Sequence, residues 1–128
     1  MTNPRQPADP FAGKLKRTEF QRSASSVPGR EIVQVLTEIP GGDASGWHIH
    51  PGEEVGYILA GSVEIVIDGQ SSLNVHAGEG YLIPPNTPHT ARNDGPDGCG
   101  MLSTYLVEAG QPLATFVEPG SAGQVGRD

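Results

Sequence analysis

This 128-residue chain carries a single cysteine, Cys99. One thiol excludes an intrachain disulfide and agrees with a reducing compartment. Long hydrophobic runs are also missing. No stretch approaches the ~18 apolar residues of a membrane-spanning helix, and Met1 to Phe11 has no apolar segment of the signal-peptide kind. The cytoplasm is the expected location, and no membrane partner is expected. Positive charge is scarce where the chain is richest in strand signals. Between residues 31 and 117 there is one cation, Arg92, against eleven acids. Nucleic-acid binding needs clustered Lys and Arg to displace counterions, so no nucleic-acid partner is expected. Five of the eight cations (Arg5, Lys14, Lys16, Arg17, Arg22) lie in the first 22 residues, where Lys14-Leu15-Lys16-Arg17 reads as a solvated run.

Glycine and proline, by contrast, are plentiful, at 18 and 12 residues. With short apolar runs between them they suit many short strands joined by tight turns. Alternation predicts strands at Glu31–Ile39, Trp47–His50, Glu53–Ala60, Val63–Asp68, Ser72–His76, Tyr81–Pro84, His89–Asn93 and Met101–Val107. Asp68-Gly69 is expected to close a two-residue type I′ hairpin. No window shows helical periodicity, and there are no internal repeats. The length allows one domain. The expected division is a partly disordered arm over 1–30, a barrel over 31–117 and a flexible tail over 118–128.

The chemistry concentrates in two lines of sequence: Gly42-x5-His48-x-His50-x3-Glu54-x6-Gly61, then Gly78-x5-Pro84-x-Asn86-x2-His89-x3-Asn93. A strand sends residues i and i+2 to one face, so His48 and His50 point together. Glu54 follows after a short turn, and His89 can arrive from a neighbouring strand. Three imidazoles and a carboxylate meeting at a point make a metal site. The competing reading is four polar residues on a wet sheet face. His76 lies outside both lines and reads as a surface histidine, Glu53 as a rim carboxylate and Glu79 as a turn residue. Tyr81 is expected in the apolar wall with Val63, Ile65, Ile67 and Ile83. Trp47 and Tyr57 face outward by parity.

Both lines resemble the paired signature motifs of the cupins, small β-barrel proteins whose motifs supply His, His, Glu and His to a metal. Every fixed position is present except one, where Asn86 replaces the usual glycine. Asparagine tolerates the positive φ that the third position of a type II turn requires, so the turn delivering His89 should persist. The resemblance implies an all-β fold, a double-stranded β-helix (jelly-roll) barrel with short irregular termini. It also implies one divalent transition metal per chain (Fe, Mn, Ni, Co or Zn), held by His48, His50, Glu54 and His89. Four protein ligands leave about two positions on a six-coordinate ion, which suits a working site.

Three functions follow from the resemblance. The first is a metal-dependent oxygenase like the quercetinase-like dioxygenases, with Glu54 as catalytic proton acceptor. The second is a non-redox isomerase, lyase or cyclase using the metal as a Lewis acid. The third is a small-molecule binding or sensor module without turnover. Since parity turns Arg92 outward, no cation is expected in the barrel, and the expected substrate is a small neutral, phenolic or enolic molecule. A homodimer is expected as well, because strand Glu31–Ile39 is apolar on both faces and open strand edges need cover.

Overall fold

The computed structural model of the protein describes residues 15–118, which form ten strands and two five-stranded antiparallel sheets. The strands are β1 (Lys16–Ala24), β2 (Arg30–Ile39), β3 (His48–Ile49), β4 (Gly52–Ala60), β5 (Ser62–Ile67), β6 (Leu73–His76), β7 (Gly80–Ile83), β8 (His89–Arg92), β9 (Cys99–Glu108) and β10 (Thr115–Phe116). One sheet runs β1-β2-β9-β4-β7 and the other β10-β3-β8-β5-β6. This is the expected all-β jelly roll. The loose terminal stretches expected at 1–13 and beyond residue 118 lie outside the described residues.

Alternation places the core. On β2 the buried positions are Val33, Val35, Thr37 and Ile39, on β4 Gly52, Glu54, Gly56 and Ile58, and on β9 Cys99, Met101, Ser103, Tyr105 and Val107. Val63, Ile65 and Ile67 of β5 meet Tyr81 and Ile83 of β7 in the larger apolar cluster, while Val33, Val35, Tyr105, Val107 and Leu113 form a smaller one. Fully burying a side chain of this size contributes about 1.5–3 kcal/mol, so these two clusters carry the fold. Cys99 is buried at the start of β9, and burial pushes its thiol pKa up. It is a packing residue.

Three sequence expectations change. The segment read as an arm contains strand β1, which pairs with β2 from Lys16↔Glu38 to Ala24↔Glu31. Its sequence, KRTEFQRSA, has almost no apolar alternation, and a bulge between Glu19 and Gln21 breaks the period. The strand is held by main-chain pairing and by Arg22, which bridges Glu19 and Glu31. Second, the hairpin after β5 is not type I′. Gly69 has φ 80° and, among the described residues, Asn86 is the only non-glycine with positive φ, so Asp68 keeps an ordinary φ. The Gln70 N–H donates to Ile67 O at 3.0 Å, which makes a type II-like turn inside a longer loop. Third, β10 was not foreseen: two residues carry no period. The Asn86 expectation holds, with φ 54°.

Candidate metal centre

The site is assembled by strand register. His48 on β3 pairs directly with His89 on β8, and β3 is held on its other side by β10 through His48↔Phe116. His50 follows β3 by one residue and regains the inward direction, buried like His48 while Ile49 between them is only half-buried. The turn through Asn86 returns the chain to it, with the Asn86 N–H donating to His50 O at 2.9 Å. Glu54 stands on β4 opposite Tyr105 of β9 and Ile83 of β7. All four expected ligands are at most 5% exposed.

The three imidazoles share one hydrogen-bond pattern. His48 Nδ1 donates to Gly46 O at 2.7 Å, His50 Nδ1 to Leu113 O at 2.7 Å and His89 Nδ1 to Thr87 O at 2.9 Å. A carbonyl only accepts, so each Nδ1 carries the proton and each Nε2 is left as a bare lone pair. That is the tautomer a metal-ligating histidine needs, fixed by its outer partner. The three rings offer nitrogens lying within 4.8 Å of one another. Glu54 Oε1 lies 3.1 Å from His50 Nε2 and 3.4 Å from His89 Nε2. Both nitrogens are buried and meet no partner at a hydrogen-bonding angle. Acceptors facing acceptors at such distances repel unless a cation lies among them. A divalent ion fits this donor set, and three buried histidines are available to bind it.

The other oxygen of Glu54 is anchored. Its Oε2 accepts from Tyr81 Oη and from Ser103 Oγ, each at 2.8 Å, and those two hydroxyls are 3.1 Å apart. The sequence placed Tyr81 in the apolar wall, and it does pack there. It also orients the carboxylate, made possible by Gly56 beneath its ring. Burial pushes the Tyr81 pKa well above that of an ordinary phenol, and Glu54 pushes it further. Burial likewise takes Tyr105 up to about 12, again with help from Glu54. Both phenols stay protonated; Tyr81 donates to Glu54, while Tyr105 Oη accepts from Arg17.

Burial holds His48 well below the ordinary imidazole value of 6.5, with His89 and His50 disfavouring another charge nearby. Burial raises the Glu54 carboxyl, but in the metal-free site the His50 and His89 rings outweigh it whenever they carry a proton on Nε2, leaving the net value well below 4.5. Below pH 6.5 the unfolded chain protonates at His48 before the folded one does, so stability must fall with pH from there. Below 4.5 the Glu54 carboxylate adds to the loss as the pH falls towards its depressed folded value. Denaturant titrations of chelator-treated protein should show midpoints declining from pH 6.5 downward; a flat profile between 6.5 and 4.5 would contradict the buried neutral His48.

A cavity opens beside these groups, with about 30 Å³ available to the centres of water molecules. Of the expected apolar wall, Ile65 and Tyr81 line it. Val63, Ile67 and Ile83 are buried behind. Here the structure overturns the expectation of a cation-free interior. Arg17 of β1 reaches the cavity, where its Nη1 donates to Thr37 Oγ1 at 2.6 Å and lies 3.4 Å from Tyr105 Oη. Counting the barrel from residue 31 hid this residue. Ser103 and Tyr105 were likewise missed as site residues; their signal was the alternation of β9. Arg92 does point outward, paired with Glu64. His76, the last residue of β6, is exposed as a surface histidine, and its main-chain N–H donates at 2.8 Å to Glu79 in the turn that follows.

Comparison with known proteins agrees with this geometry. A family model for the cupin domain matches residues 35–105. The HTH-type transcriptional regulator PuuR of Escherichia coli (strain K12) is 30% identical over 79 residues, 61% of this chain and 42% of that protein. The chain thus spans less than half the length of the curated relatives it matches. Among solved structures, DMSP lyase DddQ from Ruegeria pomeroyi superposes with a TM-score of 0.68 at 19% identity, covering 85% of this chain and 54% of the other. Oxalate decarboxylase of Bacillus subtilis, known for its Mn(II) centres, gives a TM-score of 0.60 at 18% identity, covering 76% of this chain and 28% of the other. Identity this low carries the fold alone. Among the described residues no helix is long and apolar enough to cross a membrane. With the matched segment covering more than half of its length and both signature lines folded as one centre, the chain belongs to the cupin family.

Proposed function

We propose that the protein is a metal-dependent enzyme, a dioxygenase in the first instance, that acts on a small oxygen-bearing molecule. One divalent ion (Fe, Mn, Ni, Co or Zn) would be held by His48, His50, His89 and Glu54. The observation that carries the reading is the set of three Nε2 lone pairs turned by backbone carbonyls towards one point and towards Glu54 Oε1. When bound, the ion would supply Lewis acidity and open positions for substrate and a co-reactant. The chain's own residues do the rest. Tyr81 and Ser103 orient Glu54, whose Oε1 can accept a substrate proton. Leu15, Ile39, Ile65, Ala91 and Met101 give the cavity an apolar side.

The test is elemental analysis of protein purified without chelator, followed by oxygen-electrode and product assays on the metal-loaded form. Oxygen uptake that tracks metal content supports dioxygenation. Turnover without oxygen uptake would move the reaction to the non-redox isomerase, lyase or cyclase class. Binding without turnover would favour the second reading, a ligand-sensing module, for which the likeness to a transcription regulator speaks.

A second copy of the chain is the expected partner. Ile32 and Leu36, the residues that make β2 apolar on both faces, lie on the outer face of the β1-β2-β9-β4-β7 sheet. There Leu36, Leu102 and Tyr57 align across three strands, beside Val55 and Leu82. Tyr57 is 46% exposed and Leu82 65%. A contiguous apolar patch of this kind marks an interface. Light scattering at micromolar concentration should give a dimer, and Tyr57→Glu with Leu82→Glu should give a folded monomer. A wild-type monomer would refute the pairing.

A further inference from the structure

We propose that residues 15–19, Leu15 and the first half of β1, form a flap over the histidine cavity. The flap swings on the bulge between Glu19 and Gln21, and its opening is the way in and out of the site. What passes through rests on the metal-dependent reading above; the movement itself does not.

The cavity is almost sealed. Arg17 is half-buried, and every other residue that lines it, Leu15 among them, is buried. The lining residue that still meets solvent therefore stands on the segment ahead of the bulge. The remaining walls are fixed. Strands β2, β3, β4, β5, β8 and β9 each have a neighbour on both sides. Edge strand β7 contributes Tyr81, which is tied to Glu54 and Ser103. Edge strand β1 has β2 alone beside it. As it stands the cavity offers about 30 Å³, room for about two or three waters. Anything larger enters only if a wall moves, and β1 is the wall least held.

The bulge divides β1 into halves that are fastened differently. It leaves Phe20 out of the ladder and 55% exposed, and a bulge interrupts pairing locally. Beyond it, Arg22 bridges Glu19 and Glu31, and Gln21 Nε2 donates to Gln34 Oε1 at 2.9 Å. That half also runs straight into the turn to β2, where the Ser25 N–H donates to Arg30 O at 2.9 Å. Ahead of the bulge, Lys16 meets Glu38 at 3.5 Å with side chains 74% and 45% exposed, a pairing that adds little. Thr18 and Glu19 are exposed. The inward hold comes from Leu15 in the larger apolar cluster and from Arg17, whose Nη1 donates to Thr37 Oγ1 at 2.6 Å and to Tyr105 Oη at 3.4 Å. Few buried contacts and an exposed ladder mark a segment that opens without global unfolding. Separating the pairs from Lys16↔Glu38 to Glu19↔Val35 withdraws Leu15 and Arg17 together and leaves the half beyond the bulge in place.

The experiment is to staple the flap shut. Lys16 and Glu38 are direct partners, and opposed Cα atoms on antiparallel strands lie about 4.5–5.5 Å apart, within reach of a disulfide. Lys16→Cys with Glu38→Cys is made in a Cys99→Ala background, because Cys99 lines the same groove as both. Co(II) uptake, and its release to EDTA, are followed by absorption with the staple oxidised and then reduced. Oxidation should slow both directions by on the order of 10-fold or more and leave the dissociation constant unchanged. The reduced protein should match its Cys99→Ala parent. Hydrogen exchange on wild type is the second measurement. Main-chain N–H groups bonded to β2 should exchange on the order of 10-fold faster within 16–19 than within 21–24, and Leu15→Ala should widen that gap. Equal Co(II) rates in the oxidised and reduced protein overturn the proposal, and so does equal exchange on the two sides of the bulge. Wild type that takes up neither Co(II) nor any other candidate ion would refute the metal reading separately. Hydrogen exchange then decides the flap by itself, as it does if the stapled variant fails to fold.

Discussion

His89→Ala should fold and yet fail to retain its metal. The imidazole it removes faces His48 across the β3–β8 pair, and the β8 main chain that holds the barrel is untouched. Losing a hydrogen-bond partner of a ligand typically costs about 10- to 100-fold in metal affinity, and losing the ligand itself should cost more. His50→Ala should behave alike. The effect is readable as stability, because an ion at about 100 times its dissociation constant stabilises the folded state by about 2.7 kcal/mol. For a domain of this size that is a rise of roughly 10 °C in melting temperature. Wild type should show this rise on adding metal, and the two variants should show little. His76→Ala, on the exposed turn with Glu79, should retain the full response. Variants of His50 and His89 that bind metal at wild-type affinity would remove the site from where it is placed here.

Gly56→Ala should damage both the barrel and the site with a single methyl. A Cβ at this position would overlap the Tyr81 ring. That ring is packed among the larger apolar cluster, so the only free space it can move into is the small cavity it lines. Overpacking of this kind costs about 1–3 kcal/mol, and displacement of Tyr81 also takes a hydrogen bond from the buried Glu54 carboxylate. Tyr81→Phe isolates the second effect. It removes only the hydroxyl, at about 1.5–3 kcal/mol for a hydrogen bond to a charged group, and leaves Ser103 as the remaining donor to Oε2. Urea midpoints should therefore order as wild type, Tyr81→Phe, Gly56→Ala. A Gly56→Ala midpoint indistinguishable from wild type would mean that the Tyr81 ring is not above Gly56.

What the sequence disclosed follows from where its signals are local. His48, His50, Glu54 and His89 were legible because strand parity and turn chemistry act over a few residues, and the φ of 54° at Asn86 is that chemistry at work. Arg17 was not. It lies on an edge strand whose residues are mostly exposed, so no alternation announces it, and its reach into the cavity depends on pairing with a strand 20 residues away. Ser103 and Tyr105 fall between these cases. Period two puts them inward with Met101 and Val107, but only the register of β9 against β4, Tyr105↔Glu54 and Ser103↔Gly56, sets them beside the carboxylate. Expectations drawn from the barrel strands alone therefore missed the cation that lines the cavity.

The bond from His50 Nδ1 to Leu113 O ties the candidate metal centre to a segment that arrives after all six strands the motifs span, β3 to β8. That segment is pinned by two short-range attachments, the β10 pairing with β3 and the Val117 N–H donating to Trp47 O at 3.1 Å. Ion affinity and docking of the C-terminal segment are consequently two sides of one thermodynamic linkage. Whatever loosens residues 113–117, a protease cut or a neighbouring chain that claims the β3 edge, releases the His50 tautomer and weakens the site. Conversely, adding the ion should slow hydrogen exchange at Val117 and Leu113 before it affects the far edge of the barrel.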